Sequence, residues 1–208
     1  MERIAYLLKY RFPCVFRAVE LIGRLAVRLM YGRRIRSALR RSRIQGSVRD
    51  ITAEARQLSE RDIDDLHHFL TTLPQGYLKY FQPHSFERYD LGVILGSSVF
   101  LTYGVFVEGE LRAYALLKVA PTGSAFIGLL VHPDMSGLNV GKFIVEYLYW
   151  QASLAGLRTC STISRDNTAS IKAHQAVSDF KIIADLPNNY MMIKFPVSPR
   201  GKPELLLP

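Results

Sequence analysis

The stretch VHPDMSGLNVGK, Val131 to Lys142, decides how this chain is read. It follows an apolar run, Ser124 to Val131. It precedes Phe143 to Ala155, where Ile144, Leu148, Trp150 and Leu154 mark an apolar helix. A strand therefore hands a small-residue loop to the start of a helix. Gly137 and Gly141 admit backbone angles that other residues resist, and Asn139 is the next best residue after glycine at positive φ. The first N–H groups of a helix have no intrahelical acceptor, so such a loop gathers free donors at one spot, and that spot suits a phosphate. Taken alone, the two glycines describe a plain strand-to-helix turn equally well.

Outward from the loop the pattern continues. Gly156 ends the helix, Leu157–Ile163 reads as a strand, Thr168–Val177 as a helix, and Phe180–Ala184 and Tyr190–Phe195 as closing strands. Upstream, Ser98–Val107 and Leu111–Ala120 are β-rich runs joined at Glu108-Gly109-Glu110, a hairpin signal. Pro121-Thr122-Gly123 turns the chain into the next strand. Val48–Leu58 reads as a first strand. Ser59 then caps a helix with Glu60 and Asp62 in its first turn, where the dipole favours acids, and Ile63, Leu66, Phe69 and Leu70 form its buried stripe. Pro74-Gln75-Gly76 stops it. Tyr77–Tyr89 is aromatic-rich and irregular, with His84 after Pro83. This order predicts an α+β domain over residues 50–208, a sheet with helices on both faces.

With those elements placed, the loop resembles the acetyl-CoA pyrophosphate loop of the GNAT acetyltransferase superfamily, V-x-P-x-[YF]-[RQ]-x-x-G-x-[GA]. Val131, Pro133 and Gly141 match; Ser136 stands for the Arg or Gln, and Asn139 for the middle Gly. Asn167-Thr-Ala-Ser170-Ile-Lys-Ala-His174 resembles the second family motif, N-x-x-[AS]-x-x-x-Y. The resemblance covers residues 50–196. It implies the GNAT fold, with a mixed and mostly antiparallel sheet, and acetyl-CoA as co-substrate. It implies that Leu129, Leu130 and Val131 offer backbone groups to the pantetheine arm, in a splay between their strand and Leu157–Ile163. Gly137, Leu138, Asn139, Val140, Gly141 and Lys142 would cradle the pyrophosphate, and Asn167 and Ser170 would sit near the pantetheine.

The same resemblance implies direct attack of an acceptor amine, less often a hydroxyl, on the thioester. His174 takes the place of the tyrosine that protonates the departing thiolate, and its ordinary pKa of about 6.5 makes it the more acidic donor. Thr162 stands where some members carry a glutamate base, which leaves His132 and His84 as candidate bases. Ser178-Asp179-Phe180 replaces the usual Gly-Phe with one residue more. The implied acceptor is a small molecule, and similarity to bacterial members suggests an amino sugar of a surface polysaccharide. The alternatives are a protein N-terminus or lysine, or a CoA-binding, membrane-associated module without catalysis.

Composition separates a second part. The chain has 208 residues, 49% hydrophobic and 22% charged, which excludes wholesale disorder. Two cysteines, Cys14 and Cys160, make no disulfide framework, no C-x-x-C pair suggests a metal site, and the chain fits a reducing, cytoplasmic compartment. The net charge of +9 is uneven: residues 1–49 carry 13 basic and 2 acidic residues, net +11, and the remainder 14 and 16, net −2. In this basic arm Cys14–Tyr31 reads as a helix on which Arg17, Glu20, Arg24 and Arg28 form one stripe and apolar residues cover the rest. Pro13 suits its start and Gly32 its end, and six arginines between Arg33 and Arg43 then read as a basic loop. No run is apolar enough to span a bilayer. The charged breaks exclude a signal peptide, and a mitochondrial transit peptide remains a minor alternative. Residues 14–43 suit an in-plane helix on the anionic inner face of a membrane. Packing on its own domain, or on a second copy in a homodimer, is the other reading. Nucleic acid is disfavoured, because no aromatic platform interleaves the arginines. Residues 50–208 are expected to fold alone.

Overall fold

The computed structural model describes residues 13–208. In chain order the helices are α1 (Pro13–Leu39), α2 (Ile63–Thr72), α3 (Arg88–Leu95), α4 (Val140–Leu154) and α5 (Thr168–Gln175). The strands are β1 (Ile44–Val48), β2 (Ile51–Gln57), β3 (Phe100–Val107), β4 (Glu110–Val119), β5 (Ser124–Val131), β6 (Arg158–Ser164), β7 (Lys181–Leu186), β8 (Tyr190–Lys194) and β9 (Leu206–Leu207). They join in one sheet, ordered β7-β8-β6-β5-β4-β3-β2-β1-β9. Neighbours are antiparallel except β5 with β6 and β1 with β9.

Side-chain alternation puts a core on each face of the sheet. Along β4, Ala113, Ala115, Leu117 and Val119 join a core with α1 and α4, whereas Tyr114 and Leu116 join one with α2 and α3. The α+β architecture with helices on both faces is therefore as the residue pattern predicts. Glu108 and Gly109, both at positive φ, turn the β3–β4 hairpin, and Gly156, at φ 67°, ends α4.

Four elements differ from the sequence reading. First, α1 runs through Gly32 to Leu39, so Arg33, Arg34 and Arg36 lie on a helix and not in a loop. Val27, Ile35 and Ala38 are buried and Tyr31 packs between them. Burying Val27 and Ile35 contributes about 1.5–3 kcal/mol each, which outweighs the cost of about 1 kcal/mol for a mid-helix glycine. The Tyr147 hydroxyl of α4 donates to the Ser42 carbonyl at 2.6 Å and fastens the end of α1.

Second, the expected first strand is a hairpin. β1 pairs with β2 from Ile44–Ala55 to Val48–Ile51, around Arg49 and Asp50 at φ 53° and 60°. A boundary after residue 49 thus cuts through this turn and strips β1 and α1 from the domain. Third, the end of the irregular aromatic segment is helical: α3 begins at Arg88, with Asp90 in its first turn, and buries Leu91, Ile94 and Leu95. Fourth, β9 runs parallel to β1. The Ser47 N–H donates to the Leu205 carbonyl at 2.7 Å and the Arg49 N–H to the Leu207 carbonyl at 3.0 Å. Gly46 permits this approach, since a Cβ there would collide with the Leu205 carbonyl.

The wide apolar face of α1 is mostly not used against the domain. Leu21, Ile22, Leu25, Leu29 and Met30 are exposed, Leu29 by 85%. The side chains of Cys14, Val15, Phe16, Arg17, Val19 and Glu20 lie outside the described part. Among the described residues no helix is long and apolar enough to cross a membrane.

Candidate active site

β5 and β6 begin as neighbours and then part. Their parallel pairing runs from Ser124–Arg158 to Ile127–Ser161 and stops there. Beyond it β5 stays on β4 as far as Val131, while β6 stays on β8 as far as Ser164. The strands therefore splay from Gly128 and Thr162 onward, and backbone groups along that opening have no partner strand. A cleft of about 710 Å³ occupies the gap.

The loop closes one end of the cleft. His132 leads into a 3-10 turn, Pro133–Met135, then Gly137 sits at φ 79° and Asn139 at φ 59°. Asn139 thus holds the left-handed position that the sequence assigns to it. The first helical bond of α4 is from the Phe143 N–H to the Asn139 carbonyl, 3.0 Å, so the N–H groups of Val140, Gly141 and Lys142 precede it and are free by helix geometry. A Cβ at Gly137 would meet nothing within 4 Å, and one at Gly141 only the Ala173 Cβ at 3.7 Å. Gly141 is helical, not left-handed, so its value is bareness and not an unusual φ. Exposed donors on a bare backbone at a helix start fit a pyrophosphate.

Of the expected cofactor residues, Leu129, Leu130, Val131, Gly137, Asn139, Val140, Gly141, Lys142, Asn167 and Ser170 line the cleft. Leu138 does not: it is buried in the core beside α4, so at most its backbone faces the site. The Asn167 side-chain oxygen caps α5 by accepting the Ser170 N–H at 3.0 Å.

The three histidines separate. His84 is outside the cleft lining. Its Nδ1 lies 2.7 Å from the Ser85 carbonyl and must donate to it, so Nε2 accepts from the Tyr114 hydroxyl at 2.9 Å. Burial lowers its pKa, against smaller opposing effects of the Ser85 bond and Asp90. His132 is also outside the lining. Its Nδ1 accepts the Asp134 N–H at 3.3 Å, and its ring lies against Phe69. Neither side chain lines the cleft, so the expected role of base finds no support in either.

His174 does line the cleft, yet it is 1% exposed and its ring stacks on Phe195. Its Nδ1–H donates to the Ser170 carbonyl at 2.8 Å, and Nε2 has no partner. Burial lowers its pKa more than the Ser170 bond raises it. The ring is therefore neutral at pH 7 with its proton on Nδ1, and Nε2 has none to give. This corrects the general-acid expectation.

The opposite wall draws on the aromatic segment after α2 and on β8. Tyr77, Tyr80 and Phe81, from the 3-10 turn after α2, line it with Tyr190. The aromatic density of that turn was a visible signal. For Tyr190 the signal was weaker: Asn188-Asn189, both at positive φ, turn it in beside Ser164. Among the described residues no aspartate or glutamate lines the cleft, and Lys142 and Lys172 are its cations.

No family model matches the sequence, and no curated protein does either. Solved structures match in fold. The GNAT domain of S. lividans PAT superposes with a TM-score of 0.65 at 16% identity, over 74% of this chain and 97% of that one. PaiA N-acetyltransferase from Thermoplasma acidophilum in complex with coenzyme A gives 0.57 at 16%, over 69% and 98%. Aminoglycoside acetyltransferase AAC(6')-Ib in complex with coenzyme A and kanamycin gives 0.54 at 17%, over 69% and 94%.

Proposed function

We propose that this chain, whose fold is that of the GNAT acetyltransferases, moves an acetyl group from acetyl-CoA to the amine of a small molecule. The observation that carries the reading is the splay of β5 from β6, ending on the bare backbone of Gly137 and Gly141. The N–H groups of Gly137, Asn139, Val140, Gly141 and Lys142 and the dipole of α4 would hold the pyrophosphate. The unpaired edge of Leu129–Val131 would hold the pantetheine arm, with Asn167 and Ser170 beside it. Water exclusion along that arm would leave the thioester between the strand ends and the aromatic wall.

Within that class we favour an amino sugar of a surface polysaccharide. Tyr77 and Tyr80 offer aromatic surface for a sugar ring, and among the described residues the cleft carries no carboxylate suited to a polycation. We further propose that α1 holds the enzyme on the inner face of an anionic membrane. Its outward stripe is apolar from Leu21 to Met30, and Arg33, Arg36, Arg40 and Arg43 follow on exposed positions.

Calorimetry with acetyl-CoA and CoA tests the reading. Gly141→Val should fold, because its Cβ fits beside Ala173. It should bind acetyl-CoA at least about tenfold more weakly, since one hydrogen bond to a charged group is worth about 1.5–3 kcal/mol. Undiminished binding by the folded variant refutes the loop assignment. Thiol release with amine acceptors separates an enzyme from a module that only binds CoA.

A further inference from the structure

We infer that the acceptor is a weakly basic amine that enters as its neutral free base, because among the described residues the cleft holds neither a carboxylate to attract an ammonium group nor a base to deprotonate one. The inference rests on the acetyltransferase reading and narrows its substrate class.

The titratable side chains facing the cleft are Tyr77, Tyr80, Lys142, Lys172, His174 and Tyr190. Four elements supply them, and among the described residues none is an acid. Two are cations, and the start of α4 adds positive potential. An ammonium group in this space meets charges of its own sign and no counter-ion. Asp134, the acid of the loop, faces Arg112 at 3.9 Å and His132 at 3.4 Å instead.

No other group there takes the proton. His84 is occupied at both ring nitrogens, by Ser85 and Tyr114, and His132 stands outside the lining. His174 has a bare Nε2, but protonation would leave a buried imidazolium with no anion near it. Lysine-like amines, with pKa about 10.4, are almost wholly charged at neutral pH, whereas an α-amino-type amine of pKa about 8 is about one-tenth free base.

The chemistry balances without a protein base. The lone pair of the neutral amine forms the C–N bond at the acetyl carbonyl. The C–S bond breaks, and its electrons leave on the CoA sulfur. One N–H proton passes through water to that thiolate, giving the amide and the free thiol.

Thiol release from acetyl-CoA by the full chain, over pH 6 to 10, tests this. The probes are glucosamine and glycinamide as weak bases, n-butylamine as a lysine analogue, and spermidine and kanamycin as polycations. The expected kcat/KM rises with pH along a limb whose midpoint follows the acceptor's own pKa. At pH 7 the weak bases should exceed n-butylamine by up to about 200-fold, the ratio of free-base fractions at equal nucleophilicity. A limb at one fixed pH for all acceptors, or a preference for spermidine, kanamycin or n-butylamine at pH 7, overturns the inference. Calorimetry with acetyl-CoA runs alongside. If acetyl-CoA binds and neither weak base is turned over, the inference fails while the cofactor reading stands. If acetyl-CoA does not bind, the acetyltransferase reading fails and takes the inference with it.

Discussion

The Tyr114 hydroxyl donates to His84 Nε2 at 2.9 Å, and it is the donor only while His84 is neutral, because Nδ1–H is already given to the Ser85 carbonyl. Protonation at Nε2 turns an acceptor into a donor that faces a hydroxyl. His174 is in the same condition, neutral and buried. In both, burial lowers the folded-state pKa below the value near 6.5 of the unfolded chain. The unfolded state then binds more protons, so stability is full above about pH 6.5 and falls as pH drops below it. Thermal melts from pH 8 to 5 should show a falling Tm, with the fall reduced in His84→Gln. A Tm that stays flat over this range contradicts the assigned protonation states. Asp62 acts at lower pH. Burial pushes its carboxyl up, but bonds from Arg56 at 2.6 and 3.0 Å, with those from Ser59, carry the net shift down. Its contribution is lost only as pH falls through that depressed value.

His174→Phe should keep kcat within about tenfold of the parent, since the ring stacks on Phe195 and Nε2 is unused. A general acid would instead cost about 10²–10⁴-fold. His174→Ala should destabilise the fold by about 2–4 kcal/mol through the cavity left against Phe195. Steady-state kinetics and melts on the two variants separate packing from proton transfer.

Leu25→Glu with Leu29→Glu should abolish binding to anionic vesicles without lowering Tm, because both side chains are exposed. The parent chain should sediment with such vesicles. Salt should weaken that binding without eliminating it, as each arginine near the surface contributes about 1 kcal/mol that is screened and the apolar stripe a part that is not. Equal sedimentation of parent and variant would remove the membrane from the account. A chain shortened to residues 50–208 should aggregate, because it lacks β1 and the packing of Val27 and Ile35.

Thr162→Glu should widen the acceptor range. Thr162 lies on β6, exposed, at the cleft. A carboxylate there supplies both a counter-ion and a base. The n-butylamine limb should move to lower pH, and turnover of spermidine should rise relative to glucosamine. An unchanged profile in a variant that still binds acetyl-CoA would show that the site's selectivity has another origin.

The domain was legible in sequence where local chemistry and tertiary structure agree. Gly109, Gly156 and Asn139 occupy the backbone angles their residue types favour. The β1–β2 turn was not legible, since Arg49 and Asp50 adopt left-handed angles without an Asn-Gly signature. The end of α1 was misread because glycine at position 32 signals a stop, whereas Val27, Ile35 and Ala38 continue a buried stripe that only α4 makes meaningful. The cofactor half of the site followed from loop spacing. The histidine roles did not, because spacing fixes a residue's position on an element and leaves open which ring nitrogen is already engaged.

The short strand β9 has a consequence for handling the protein. Leu205–Leu207 occupies the outer margin of β1, where the N–H groups of Ser47 and Arg49 would otherwise face outward. Trimming these leucines would bare a ladder of donors and acceptors that another copy's strand can extend. A chain cut back to Glu204 should therefore assemble edge to edge, visible by light scattering before any change in acetyl-CoA affinity. An affinity tag belongs on a segment that leaves these three residues seated.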